Sequence, residues 1–147
     1  MKKSLKKILV TGAAGFLGSH LAEKLSEFNH KVIGVDNMSC GYKDNIPKNI
    51  KFFKFDCCDL KKMTEVMKGV EIVYHCAATA HEGLSVFSPF EITKNNYLAS
   101  VSVFTAAISN KVKRIIFCSS MARYGDQEIP FTEDMHPKPI DPYAISK

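Results

Sequence analysis

Three glycines stand at the spacing G-x-x-G-x-x-G in Thr11-Gly12-Ala13-Ala14-Gly15-Phe16-Leu17-Gly18. The apolar β-type run Lys7 to Thr11 precedes them, and apolar residues at helical spacing follow: Phe16, Leu17, Leu21, Leu25 and Phe28. Glycines allow a tight turn and a close backbone approach, and the helix start beyond them offers N–H groups and a positive dipole end to a pyrophosphate. The spacing is neither the G-x-G-x-x-G fingerprint nor a P-loop, since no Gly-Lys-Ser/Thr follows. Three glycines in a turn can be purely structural, and it is the strand–turn–helix setting that points to phosphate. Asp36 ends a second apolar run, Lys31 to Val35, 18 residues after Gly18. A carboxylate there accepts hydrogen bonds from the adenosine ribose hydroxyls and repels a 2′-phosphate, which favours NAD over NADP. The bland alternative is a surface-turn Asp before Asn37.

Two more carboxylates, Asp56 and Asp59, follow a third run, Ile50 to Phe55. Asp59 reads as the N-cap of a helix reaching about Met67, and Asp56 can receive an adenine amino group. His75, after the run Glu71 to Tyr74, reads as a packed core histidine, and the small residues that follow it leave room for a flat ligand. Tyr143 and Lys147 are four apart, so on a helix they share one face. An ammonium beside a phenol favours the phenolate, which suits general base chemistry.

The elements that must hold these residues alternate. A fifth strand runs from Arg114 to Cys118, a long helix from Pro89 to about Ser109, and Pro142 opens a last helical turn. The order β-α-β, a long connection, then β-α-β-α-β predicts an α/β fold, a doubly wound parallel sheet of the Rossmann type, as one domain over 1–147. In such folds ligands bind beyond the carboxyl ends of the strands, and every motif named above follows a strand end. The chain has 147 residues, 46% hydrophobic and 24% charged, with net charge +5, which fits one domain with a real core and excludes disorder or a disulfide scaffold. Of 20 Lys and Arg only Arg114 and Arg123 are arginine, and they are spread along the chain. No basic stripe or known module supports nucleic acid binding. The cysteines, Cys40, Cys57, Cys58, Cys76 and Cys118, lack C-x-x-C spacing, so no metal site is expected, and they read as buried free thiols of a reducing compartment. Lys2, Lys3, Lys6 and Lys7 precede Ile8-Leu9-Val10, but Gly12, Gly15 and Gly18 interrupt the apolar run, so no signal peptide is expected. No run is long enough to span a membrane. The expected location is the cytoplasm.

Taken together, TGAAGFLGSHL (Thr11 to Leu21), VDNMS (Val35 to Ser39), DCCDL (Asp56 to Leu60), HCAA (His75 to Ala78), Asn95-Asn96, CSSMARYG (Cys118 to Gly125) and PYAISK (Pro142 to Lys147) resemble the extended short-chain dehydrogenase/reductase family, in its NAD-dependent epimerase/dehydratase branch, and within it the nucleotide-sugar 4-epimerases. The resemblance runs from Ile8 to Lys147. It implies that Gly12, Gly15, Phe16, Leu17 and Gly18 cradle the pyrophosphate of NAD. Asp36 and Asn37 hold the adenosine ribose, Asp56 and Cys57 meet the adenine, and Ala77, Ala78 and Ala80 line the path to the nicotinamide. Members often carry Lys at the position of Ala80. Asn96 is implied as the structural asparagine of the long helix, beside the cofactor. Ser120, Tyr143 and Lys147 are implied as the catalytic set, the last two touching the cofactor as well.

The implied reaction is reversible hydride transfer from the sugar C4 to NAD on a UDP-hexose or UDP-N-acetylhexosamine, with Tyr143 taking the hydroxyl proton. Met121 and Ala122 stand where related dehydratases carry an Asp-Glu pair, and neither can protonate a leaving hydroxyl or abstract a C5 proton. Two alternatives stay open: a nucleotide-sugar reductase or dehydrogenase of the same family, and a non-catalytic NAD-binding fragment. Members continue into a C-terminal substrate domain, so this chain is expected to be the incomplete NAD-binding part, with little turnover of its own. The stripe Phe90, Tyr97, Val101, Phe104 and Ile108 on the long helix, with Ile92, Leu98, Val103 and Ala107 largely off it, predicts burial on two sides. The resemblance implies a homodimer through that helix.

Overall fold

The computed structural model describes residues 5–147, so Lys2 and Lys3 lie outside it. Five strands, β1 (Lys7–Thr11), β2 (Lys31–Asp36), β3 (Lys51–Lys54), β4 (Ile72–His75) and β5 (Arg114–Phe117), form one sheet in the order β3-β2-β1-β4-β5. Every neighbouring pair is parallel. The helices are α1 (Phe16–Glu27), α2 (Leu60–Val66), α3 (Glu82–Ser85), α4 (Pro89–Ile92), α5 (Ala99–Ser109) and α6 (Pro142–Ile145). Short 3₁₀ turns cover Lys43–Asn45 and Met121–Tyr124. No helix is long and apolar enough to cross a membrane among the described residues.

Strand parity sorts the core. Leu9 is in register with Ile33 and Val73, and these point to one face, where Met63, Met67 and Val103 cover them from α2 and α5. The alternate residues Val10 and Val32 point to the other face, against Ala22 of α1. Thr11 and His75 share the parity of Leu9 and Val73, so both face α5. This arithmetic brings a histidine at a strand end under the long helix.

The element starts follow their sequence signals. Asp59 caps α2, its side chain accepting from Lys62 N at 3.0 Å. Pro89 occupies the first turn of α4, and Asp141 caps α6 by accepting from Ala144 N at 2.8 Å. The long helix departs from expectation. It is not one regular α-helix from Pro89 to Ser109, because Thr93–Leu98 is π-helical and joins α4 to α5. Such a turn is found frequently at functional sites. Ile92, Val103 and Ala107 are buried as expected, but Leu98 is exposed. Phe104 turns inward against the His75 and Phe117 rings, so the outer stripe is Phe90, Tyr97, Val101 and Ile108.

Candidate functional site

Strand order reverses between β2 and β4 on either side of β1, and a cleft opens beyond the carboxyl ends there. Its empty space is about 620 Å³, part of it open to solvent. Gly12 and Gly15 line it after β1, Asp36 and Asn37 after β2, Asp56 and Cys57 after β3, and Ala77 and Ala78 after β4. These eight expected residues meet in one groove although 66 positions separate Gly12 from Ala78.

The turn after β1 requires its glycines at two points. Gly12 has φ +70°, and a Cβ there would lie 2.8 Å from Ala77 N. A Cβ on Gly18 would collide with the Gly12 carbonyl oxygen, so α1 sits directly on the turn. Gly15 gives α1 no capping side chain and the first turn holds no acidic residue, which leaves a positive helix end for an anion. Phe16 and Leu17 are exposed at this end, and Gly18 is buried behind it. Gly18→Ala decides between two effects. Helix propensity alone predicts a gain of about 1 kcal/mol. Forcing α1 off the turn costs about 1–3 kcal/mol, so a lower urea midpoint is expected, and a raised one would mean that the close approach is absent.

Asp36 is buried, and its two oxygens each accept one backbone N–H: Oδ2 from Ala14 at 3.0 Å and Oδ1 from Met38 at 2.7 Å. Each oxygen keeps a lone pair for a ribose hydroxyl. Asp56 Oδ1 accepts from Cys58 N at 2.8 Å, and Asn37 Nδ2 lies 3.5 Å from Oδ2. Burial pushes the Asp56 carboxyl up, but these hydrogen bonds and Lys94 outweigh it and hold the group below its ordinary value. The Cys57 thiol is pushed up to about 12 by burial and by the carboxylates Asp56 and Asp36, so it stays a neutral thiol in the cleft wall.

Other lining residues were not legible. Ser39, Cys40 and Gly41 reach the cleft because the connection after β2 folds back, with Tyr42 N donating to Ala14 O at 3.0 Å. Of the five free thiols only Cys57 is buried; Cys58, Cys76 and Cys118 are half-buried and Cys40 is exposed, which corrects the expectation of buried thiols. On the long helix it is Asn95 and Ala99 that line the cleft. Asn96 is 1% exposed and turned away, clamping the loop after β4. Its Oδ1 accepts from Thr79 N at 2.8 Å, and its Nδ2 donates to Thr79 O at 3.3 Å and to Ser146 Oγ at 3.1 Å. Its side chain holds this loop and is not in the cleft wall, where Asn95 stands instead. Ala80 is exposed and does not line the cleft.

His75 is buried as expected, between Thr11 (2.6 Å from Nδ1) and Ser100 (2.9 Å from Nε2). Burial, aided by the Lys147 charge, lowers it to about 4, so it is neutral at pH 7.

The three remaining residues gather at the β4–β5 end. Ser120 Oγ accepts from Ala122 N at 3.2 Å, capping the Met121–Tyr124 turn, and α6 packs on that turn. Lys147 Nζ lies 5.1 Å from the centre of the Phe117 ring, and Ser119 Oγ donates to Lys147 O at 2.9 Å. Burial lowers the Lys147 ammonium, and the nearby Cys118 and Cys76 thiols partly oppose this. α6 is a single turn, so Lys147 lies just past the helix that carries Tyr143. Among the described residues, no hydrogen bond joins the side chains of Ser120, Tyr143 and Lys147 to one another.

Known proteins share this fold. A UDP-glucose 4-epimerase of Streptomyces lividans is 34% identical over 145 residues, 96% of this chain and 44% of that protein. The crystal structure of UDP-glucose 4-epimerase from Thermotoga maritima with UDP-glucose has a TM-score of 0.91 at 38% identity, covering 96% of this chain and 47% of that one. That of the Thermus thermophilus UDP-glucose 4-epimerase in complex with NAD has a TM-score of 0.90 at 33% identity, covering 96% and 47%. The chain therefore spans a little under half the length of these relatives. Residues 8–147 match the NAD dependent epimerase/dehydratase family, and with the cleft at the strand-order reversal this establishes that the chain belongs to that family.

Proposed function

We propose that this chain is the NAD-binding part of a nucleotide-sugar 4-epimerase acting on a UDP-hexose or UDP-N-acetylhexosamine. The observation that carries the reading is the convergence of the Gly12–Gly18 turn, Asp36, Asp56 and Ala77–Ala78 on one groove at the switch point of the sheet. The open helix end fits a pyrophosphate, the two lone pairs left on Asp36 fit a ribose diol, and the absence of a Cβ at Gly12 keeps the turn close to Ala77. The relatives named above carry UDP-glucose 4-epimerase activity in their names, and one holds NAD.

NAD supplies the site where hydride is received and returned. The chain's own residues manage the proton and the substrate oxygen. Tyr143, on the single turn of α6, takes the proton of the sugar hydroxyl, and Lys147 follows just past that turn. Because Ser120 Oγ accepts from Ala122 N, its own proton is free to point at the same substrate oxygen. Met121 and Ala122 offer no acid or base for dehydration. The exposed apolar stripe Phe90, Tyr97, Val101 and Ile108 supports self-association through the long helix. Free thiols fit a reducing compartment such as the cytoplasm.

Calorimetric titration tests the cofactor reading. NAD is expected to bind, and NADP at least about tenfold more weakly, because the Asp36 carboxylate at the end of β2 would repel a 2′-phosphate. Asp36→Asn is expected to narrow that ratio. No heat with NAD, or equal affinity for both dinucleotides in the unsubstituted chain, would sink the proposal.

A further inference from the structure

A line of hydrogen bonds passes beneath the cleft. Ala77 N donates to Thr11 Oγ1 at 3.2 Å. Thr11 Oγ1 is 2.6 Å from His75 Nδ1, and His75 Nε2 is 2.9 Å from Ser100 Oγ. Ser100 Oγ donates to Asn96 O at 2.6 Å. That last bond uses the one hydroxyl proton of Ser100, so Ser100 can only accept from the imidazole. A neutral His75 must then carry its proton on Nε2, leaving Nδ1 bare to accept from Thr11. The hydroxyl of Thr11 is thereby turned, and its lone pairs face the Ala77 amide.

The far end of the line reaches the π-helical turn. Asn96, whose backbone carbonyl ends the line, grips both backbone groups of Thr79 with its side chain and holds Ser146 just after α6. Ala77 and Thr79 are thus tied to the same turn, one through His75 and one directly. The Phe104 and Phe117 rings pack His75, with centroids 5.9 and 5.6 Å away.

We propose that His75, held as the neutral Nε2–H tautomer, is a positioning residue that sets the Ala77–Thr79 segment against the π-helical turn so that the nicotinamide end of the cofactor finds a preformed wall. The inference rests on the NAD-binding reading. It adds a role for a histidine that touches neither cofactor nor substrate.

Imidazole nitrogen NMR on the unsubstituted chain comes first and needs no cofactor. The expected spectrum at pH 7 shows His75 with a bare Nδ1 and a protonated Nε2. A proton on Nδ1 overturns the proposal whatever the cofactor does. Titration with NAD comes second, on Thr11→Val, His75→Phe and the double variant, with folding checked by urea unfolding. Each single change is expected to weaken NAD about tenfold. The double change is also expected to lose about tenfold, because both cut one line; independent packing effects would multiply to about a hundredfold and overturn the idea. Thr11→Val is the near-isosteric variant that keeps the test usable should His75→Phe fail to fold. If the unsubstituted chain does not bind NAD, the cofactor role falls with the NAD-binding reading, while the spectrum still decides the tautomer and the direction of the line.

Discussion

Between pH 6.5 and pH 4 the folded chain is expected to lose about 3 kcal/mol of stability through His75 alone. The imidazole is 1% exposed, and burial, followed by the Lys147 ammonium, holds it at about 4 against an ordinary value of 6.5. In that window the unfolded chain binds a proton that the folded chain refuses. Stability therefore rises with pH from 4 to 6.5, is fully present above 6.5, and is lost as pH falls toward 4, with a slope approaching about 1.4 kcal/mol per unit. The groups around His75 add no opposing titration. β1 contributes Thr11, α5 contributes Ser100 and Phe104, β5 contributes Phe117, and among the described residues the charge acting on it is that of Lys147. Carboxylates held low by their partners, Asp56, Asp59 and Glu71, lose their contribution at more acid pH. Urea unfolding at pH 6.5 and 5.0 is the check. The drop seen in the unsubstituted chain should nearly vanish in His75→Phe, and an equal drop in both would assign the acid sensitivity elsewhere. Against a total stability of about 5–15 kcal/mol for a typical domain, the loss is large.

The sheet was legible because its signals are local. A short apolar run marks each strand, closed by glycine after β1 and by Asp at or after the ends of β2 and β3, and Asp59 and Pro142 announce the helices they open. Asp36 was legible because chain order alone puts a carboxylate at the end of β2. His75 could be read as packed, but not as the centre of a hydrogen-bonded line, since its partners lie 64 residues before and 25 residues after it. The π-helical turn had no signal in a 3.6-residue periodicity, because its apolar and polar residues suit either winding. The one cue was two asparagines side by side within the helix. Which of them faces the cleft depends on winding, and nothing in the sequence told that Asn95 lines the cleft while Asn96 is buried behind it. Ser39 to Gly41 line the cleft only because a loop folds back on Ala14, a long-range contact with no local pattern.

Asn96→Ala should lower stability by about 3 kcal/mol and loosen α6, more than its small loss of volume implies. The side chain satisfies three groups at once: Thr79 N–H, Thr79 C=O and Ser146 Oγ. Alanine leaves the first two without these partners in a half-buried loop and removes the link to the turn that carries Tyr143. Asn96→Asp separates shape from hydrogen bonding. One oxygen still accepts from Thr79 N, but the other faces the Thr79 carbonyl where an N–H₂ donated before, and the ionised group is buried. At pH 7 Asp should therefore be no better than Ala, although it fills the same space. Hydrogen exchange supplies the readout specific to position. Protection is expected to fall at the Thr79 amide and at the α6 amides in both variants, while the β1 and β2 amides keep theirs. Uniform loss across the sheet would make Asn96 an ordinary core residue and leave α6 held by its other neighbours: α3, whose Ser85 bonds Asp141 at 3.2 Å, α4 and the Met121–Tyr124 turn.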